Sequence, residues 1–220
     1  MATILITGAN RGIGLSITKQ LNARGDTVIA ACRSSSKELD ALGVQVMKGV
    51  DVGSQESIKA LAASLKGTQL DCVINNAGIL KPGGLDKLDF EGIAQQMNIN
   101  AYGPLRVTSA LLPNLGQGSK VIIITSRMGS IADNTSGGNY GYRMSKAAVN
   151  MVGRNLSHDL KPKGIAVGLL HPGYVQTGMT GNSGHIGPDE AAAGLIERMD
   201  ALTLETTGGF WHQNGESLPW

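Results

Sequence analysis

Six short runs of β-branched and aliphatic residues recur along this chain, each set off from the next by a helical or turn-rich stretch. The runs are Ala2–Thr7, Thr27–Ala31, Val44–Lys48, Asp71–Asn75, Lys120–Thr125 and Ile165–Leu170. Most are continuous rather than alternating, as expected of strands covered on both faces. Helical patterns occupy Gly12–Ala23, Gln55–Leu65, Phe90–Leu112, Tyr142–Leu160 and Pro188–Met199. This alternation predicts a parallel, doubly wound α/β sheet with few long insertions. A seventh short strand is expected near Gly208–His212, giving one domain over residues 1–220 with a mostly seven-stranded parallel sheet.

Composition narrows the class. With 41% hydrophobic and 16% charged residues and a net charge of +2, the chain reads as globular, without the basic run that nucleic acid requires. No segment is long and apolar enough to suggest a membrane span. The start, Met-Ala-Thr-Ile-Leu-Ile-Thr-Gly, reads as a strand entering a turn rather than a signal peptide, so a cytoplasmic location is expected. Cys32 and Cys72 each close an apolar run and read as small core residues. No Cys/His spacing fits a metal, and His158, His171, His185 and His212 are scattered. Trp211 and Trp220 read as carboxyl-terminal packing anchors.

The first strand runs into Thr7-Gly8-Ala9-Asn10-Arg11-Gly12-Ile13-Gly14, with a helix directly after it. In that context Gly8, Gly12 and Gly14 permit a tight turn, and the backbone of Asn10 to Gly14 can approach a pyrophosphate at the helix N-terminus. The domain is therefore expected to be of the Rossmann type. The second strand addresses the choice of dinucleotide. An NAD site wants an acid at this strand's carboxyl end, to accept from the ribose 2′-hydroxyl. Residues 27–37 contain none, and Asp26 lies at the wrong end. Arg33 stands where a 2′-phosphate would lie and Arg11 adds charge from the glycine loop. Planar guanidinium groups suit phosphate, so NADP(H) is expected over NAD(H). After the third strand, Asp51-Val52 could reach the adenine. After the fourth, Asn75-Asn76-Ala77-Gly78 forms a compact polar turn.

Tyr142 and Lys146 lie four apart and share a helix face. A free tyrosine, with a pKa of about 10, is a poor acid or base at neutral pH. A neighbouring ammonium is expected to pull that value down. Tyr140 cannot form this pair, since Met144 stands four beyond it. Ser126 follows an apolar strand, at the sheet end where ligands bind, and could hydrogen-bond a substrate carbonyl oxygen. Asn100 falls in a helical stretch, either as a polar packing group or as a group that holds water.

Taken in order, Thr7–Gly14, Asp51-Val52, Asn75–Gly78, Asn100, Ser126, Tyr142–Lys146 and Pro172-Gly173-Tyr174-Val175-Gln176-Thr177 give the chain, over essentially its full length, a strong resemblance to the short-chain dehydrogenase/reductase family. The resemblance implies a catalytic tetrad of Asn100, Ser126, Tyr142 and Lys146. It also implies a cofactor site that adds Pro172, Gly173, Val175 and Thr177 at the nicotinamide to Gly8, Asn10, Arg11, Gly12, Ile13, Gly14, Arg33, Asp51, Val52, Asn76, Ala77 and Gly78. The pairing of Arg11 with Arg33 resembles NADP(H)-preferring members. The stretches at 126–131 and 209–215 are similar to the C-signal/sniffer-like group of small carbonyl reductases. One departure is that Tyr142 lies sixteen positions after Ser126, a few more than the family's usual spacing. The Asn134–Asn139 segment can loop out to absorb them, and Ser130 is the alternative serine.

The function implied is reduction of a ketone or aldehyde by NADPH, or the reverse alcohol oxidation, with Tyr142 as the proton donor or acceptor. Lys146, the ribose hydroxyl and a water held by Asn100 would relay the proton. The alternative is an NADP(H)-binding sensor or signalling protein with little turnover, which would not need this set of side chains. A sugar-nucleotide epimerase would need an added substrate domain. A homodimer is expected, with a tetramer open. Helices 102–115 and 142–160 carry Ala110, Leu111, Ala147, Ala148, Met151 and Val152, more apolar residues than one sheet face requires, and the family resemblance points to the same two helices. Residues 178–187, rich in glycine, are expected to form a loose flap with Met179 and Ile186 as its apolar contacts.

Overall fold

A computed structural model describes residues 1–220. Seven strands form one parallel sheet in the order β3-β2-β1-β4-β5-β6-β7: β1 (Thr3–Thr7), β2 (Thr27–Ala31), β3 (Gln45–Met47), β4 (Leu70–Asn75), β5 (Leu115–Ile124), β6 (Ala166–His171) and β7 (Phe210–His212). The helices are α1 (Gly12–Ala23), α2 (Lys37–Asp40), α3 (Gln55–Ser64), α4 (Phe90–Gln96), α5 (Gly103–Ala110), α6 (Tyr140–Leu160) and α7 (Pro188–Ala201).

The continuous apolar runs divide between two cores because successive side chains of a strand point to opposite faces. Leu5, Val73, Val121, Ile123 and Val167 pack with α3, α5 and α6 through Ile58, Leu61, Val107 and Val149. Ile4, Ile6, Ile74, Ile122 and Ile124 pack on the other face with Ile17 and Leu21 of α1 and with Ala192, Leu195 and Met199 of α7. Strand order reverses between β1 and β4. In open parallel sheets the crevice beyond the carboxyl ends of such strands is the ligand site.

The expected single helix Phe90–Leu112 is interrupted. Between α4 and α5 the chain widens to a π-helical turn over Met97–Tyr102, and a 3-10 turn follows at Leu112–Asn114. Pro104 has no N–H to give the carbonyl of Asn100 four residues earlier, so the α-helical ladder cannot continue through this point. β5 also starts five residues before the expected Lys120. Its first part, Gly116–Ser119, is polar, and the pairing shifts register between Leu70 and Cys72. The short helix α2 carried no periodic signal; its start is capped by Ser36, whose hydroxyl accepts from Leu39 N at 3.1 Å.

The supposed surplus of apolar residues on α5 and α6 is largely absorbed by the sheet. Leu111 is fully buried in the core, and Ala110, Ala148 and Val152 pack partly against it. The apolar side chains that project from this side are Leu105, Met144 (50% exposed) and Met151 (62% exposed).

Candidate active site

A cavity of about 570 Å³ opens at the carboxyl ends of β1, β2, β4 and β5. One end is built by the glycine loop. Asn76 Nδ2 donates to the carbonyls of Thr7 (3.0 Å) and Gly8 (3.1 Å), while Thr7 Oγ1 accepts from the N–H groups of Asn76 and Ala77, each at 3.1 Å. The start of α1 approaches so closely that a Cβ on Gly14 would lie 2.3 Å from the Gly8 carbonyl oxygen and 2.5 Å from Asn76 Nδ2. Bare backbone at a helix N-terminus, as here, fits a pyrophosphate.

Gly8, Asn10, Arg11, Gly12, Ile13, Gly14, Arg33, Asp51, Val52, Asn76, Ala77, Gly78, Tyr142, Lys146, Pro172 and Thr177 all line this cavity. Arg11 and Arg33 are exposed on its wall, and neither has an ion-pair partner. Two guanidinium groups without a carboxylate fit a phosphate dianion. Asp51 accepts from Gly53 N at 2.8 Å through one carboxylate oxygen.

Four expected residues do not reach the wall. Val175 is buried and bridges to Ile186, and Gly173 turns the chain at φ +88° with Ile186 and His212 against it. Asn100 (1% exposed) uses its carboxamide as a brace. It accepts from Ile79 N at 2.8 Å and donates to Ile79 O (2.8 Å) and to Ser145 Oγ (3.0 Å). Ser145 Oγ donates in turn to the Tyr142 carbonyl at 2.8 Å, so the brace ends on the residue it would serve. Ser126 stands just beyond β5, behind the wall, its hydroxyl accepting from Met128 N at 3.1 Å and near enough to the Tyr142 phenol to lower its pKa. Ser130 is engaged elsewhere: its hydroxyl donates to Trp220 O and accepts from Asp133 N, each at 3.0 Å.

Sequence reasoning missed Cys32 and Ser34, which flank Arg33 on the wall, and Ile79, Ile99, Ile124 and Thr125. Only their closeness in sequence to Arg33, Gly78, Asn100 and Ser126 could have flagged them.

Tyr142 is 8% exposed and Lys146 5% exposed. Lys146 Nζ donates to the Ile124 carbonyl at 3.0 Å and lies 5.7 Å from the centre of the Tyr142 ring. The expectation that Lys146 lowers the tyrosine's pKa is not met. Burial pushes the phenol up to about 12, against a smaller lowering by the neighbouring Ser126 hydroxyl. Loss of hydration outweighs an ammonium that is itself bound to a carbonyl. The same burial brings Lys146 down to about 8. Two of the histidines read as scattered also meet, His171 and His212, edge to face at 5.0 Å. Burial, then the charge of His212, holds His171 down to about 3, so it is neutral at ordinary pH.

The expected loose flap is a closed loop. Asn182 N donates to Thr177 O (2.7 Å), His185 N to Tyr174 O (2.8 Å) and Gln176 N to Ile186 O (3.0 Å). Backbone hydrogen bonds supply the order that apolar packing could not. Met179 lines the cavity, whereas Ile186 turns onto Gly173.

The short chain dehydrogenase family model matches residues 2–185. The chain belongs to the short-chain dehydrogenase family. Over all of both chains it is 51% identical to 1-hydroxy-2-glutathionyl-2-methyl-3-butene dehydrogenase of Rhodococcus sp. (strain AD45). It is also 45% identical to C-signal of Myxococcus xanthus, over 74% of this chain and all of that protein. Among solved structures it is similar to the carbonyl reductase Sniffer of D. melanogaster (TM-score 0.93, 29% identity, all of both chains). The NADPH-bound carbonyl reductase from chicken fatty liver is similar as well (TM-score 0.91, 31% identity, 100% of this chain and 99% of that one). This short-chain dehydrogenase is an oxidoreductase, and these likenesses do not favour the sensor reading.

Proposed function

We propose that this short-chain dehydrogenase uses NADP(H) to interconvert a small ketone or aldehyde and its alcohol. The observation that carries the reading is one buried arrangement: the Tyr142 phenol, with Lys146 Nζ 5.7 Å from its ring, at a cavity that also holds two unpaired arginines. NADP(H), when bound, supplies or accepts a hydride. Gly8, Asn10, Gly12, Ile13 and Gly14 hold its pyrophosphate, Arg11 and Arg33 its 2′-phosphate, and Asp51 and Val52 the adenine. Asn76, Ala77, Gly78, Pro172 and Thr177 border the nicotinamide half, with Gly173 and Val175 shaping the chain there. Ser126 orients the substrate oxygen and Tyr142 gives it a proton. Lys146 holds positive charge beneath the phenol, and Asn100 positions the start of α6. A carbonyl panel with NADPH, read by loss of cofactor absorbance, tests this. The panel includes a glutathionyl alcohol with NADP⁺, since the Rhodococcus relative is named for one. Binding of NADPH without turnover of any compound would return the sensor reading.

The pKa values set a pH profile. Tyr142, at about 12, keeps its proton throughout the neutral range. Lys146, at about 8, loses its charge as pH rises through that value. Carbonyl reduction is therefore expected to be level below about pH 8 and to fall above it, with Lys146→Arg removing the fall. A profile unchanged by Lys146→Arg would detach the lysine from the reaction.

We also propose that residues 1–220 act as one domain, since a single sheet and its two cores run through them. The protein forms homodimers through α5 and α6, with Leu105, Met144 and Met151 as the exposed apolar face. Light scattering at micromolar concentration should give twice the chain mass, and Met151→Glu should lower it to one. A cytoplasmic location fits two free, buried cysteines. No helix is long and apolar enough to cross a membrane.

A further inference from the structure

Residues 213–220 fold back along β7 and reach the turn that carries Ser126. Leu218 N donates to Phe210 O at 2.9 Å, His212 N donates to Glu216 O at 2.8 Å, and Trp211 bridges antiparallel to Ser217. Leu218 is buried with Leu169 and Phe210, and the Phe210 and Trp220 rings lie 5.3 Å apart. From this anchored position the main-chain oxygen of Trp220 accepts three hydrogen bonds from one loop: Ser130 Oγ (3.0 Å), Ile131 N (3.1 Å) and Ala132 N (2.9 Å). Glu216 reaches the same loop and meets Arg127 at 2.8 Å.

The other side of the loop rests on α6. A Cβ on Gly129 would lie 2.6 Å from the carbonyl carbon of Lys146, so the turn Arg127–Gly129 has no slack against that backbone. Ser126 belongs to this turn: its hydroxyl accepts from Met128 N at 3.1 Å and its carbonyl from Gly129 N at 2.8 Å. Apolar packing does not hold the loop's outer part, because Ile131 is 82% exposed. The Glu216–Arg127 pair is half-exposed, and such pairs contribute about 0–1 kcal/mol. The three-donor contact at Trp220 is therefore the dominant hold.

We infer that the main-chain oxygen of Trp220 is a positioning group for catalysis. It presses the 127–132 loop onto α6 and so fixes the Ser126 hydroxyl beside the Tyr142 phenol. This rests on the catalytic role proposed for Ser126. The carboxyl-terminal residues thus act on the reaction although they lie off the cavity wall.

The test is deletion of Trp220 in two backgrounds, wild type and Ser126→Ala, with kcat, KM and NADPH affinity measured in each. A misplacement of the reacting groups by about 1 Å can cost roughly a hundredfold. In the wild-type background kcat should fall by about ten- to a hundredfold while NADPH affinity holds. In the Ser126→Ala background the same deletion should change kcat by less than about twofold, because the group it positions is already gone. Ser130→Ala removes one of the three donors and should give the same pattern at smaller size, which keeps the test open if the deletion does not fold. Unchanged kcat in both variants overturns the inference, as does an equal loss in both backgrounds. If Ser126→Ala alone leaves kcat unchanged, the role proposed for Ser126 fails first and the clamp falls with it.

Discussion

Replacing Tyr142 with phenylalanine is expected to lower kcat for carbonyl reduction by about 10²–10⁴-fold, the range that a positioned acid or base contributes. The substitution removes one oxygen from a ring that is already buried, so the fold and the dinucleotide end of the cavity should be unaffected. NADPH affinity, measured by fluorescence titration, should therefore stay near the wild-type value. The phenol's high pKa keeps it in the proton-bearing form that reduction requires. In the oxidation direction the phenolate is needed, and the wild-type rate should climb with pH. Retention of more than about a tenth of the reductive activity by Tyr142→Phe would sink the assignment.

Replacing Arg33 with alanine should divide the two cofactors. Removing one charged partner of a phosphate costs about 1.5–3 kcal/mol, roughly ten- to a hundredfold in affinity. NADPH should weaken by that amount, whereas NADH, which has no 2′-phosphate, should change little. Arg33 is suited to this because no carboxylate competes for its guanidinium. Equal losses for the two cofactors would place Arg33 away from the 2′-phosphate.

The parts of the fold that were legible in the sequence are those governed by local chemistry. β2 and α1 begin and end where expected, because a continuous apolar run and a glycine loop mark their ends. The helix break before α5 was also written in the chain, as Gly103-Pro104, but a strong apolar period on either side masks one missing N–H. The early start of β5 could not be read, since Gly116–Ser119 is polar and gains strand geometry only from its neighbours. In the site, spacing along one helix brought Tyr142 and Lys146 together correctly. The sign of the tyrosine's shift did not follow from spacing, because it depends on how much water is excluded, and that is a property of the whole packed sheet. Val175 and Ile186 were misplaced for a similar reason. Which side of a short segment faces a cavity depends on the loop opposite it, here through the Val175–Ile186 bridge.

The Asn76 amide wedged between the glycine loop and the β4 turn has a consequence for how ligand binding is driven. A phosphate-binding loop that is free to fluctuate must lose that freedom when it closes on its anion, and the lost entropy weakens the complex. Here the loop is stitched to the next strand by four hydrogen bonds and has no room at Gly14 even for a methyl group. Its ordering belongs to folding rather than to association, so the dinucleotide meets a finished mould. Capture should then be a single fast step without a slow rearrangement phase, with added amide protection confined to the bare N–H groups at the start of α1 that turn onto the anion.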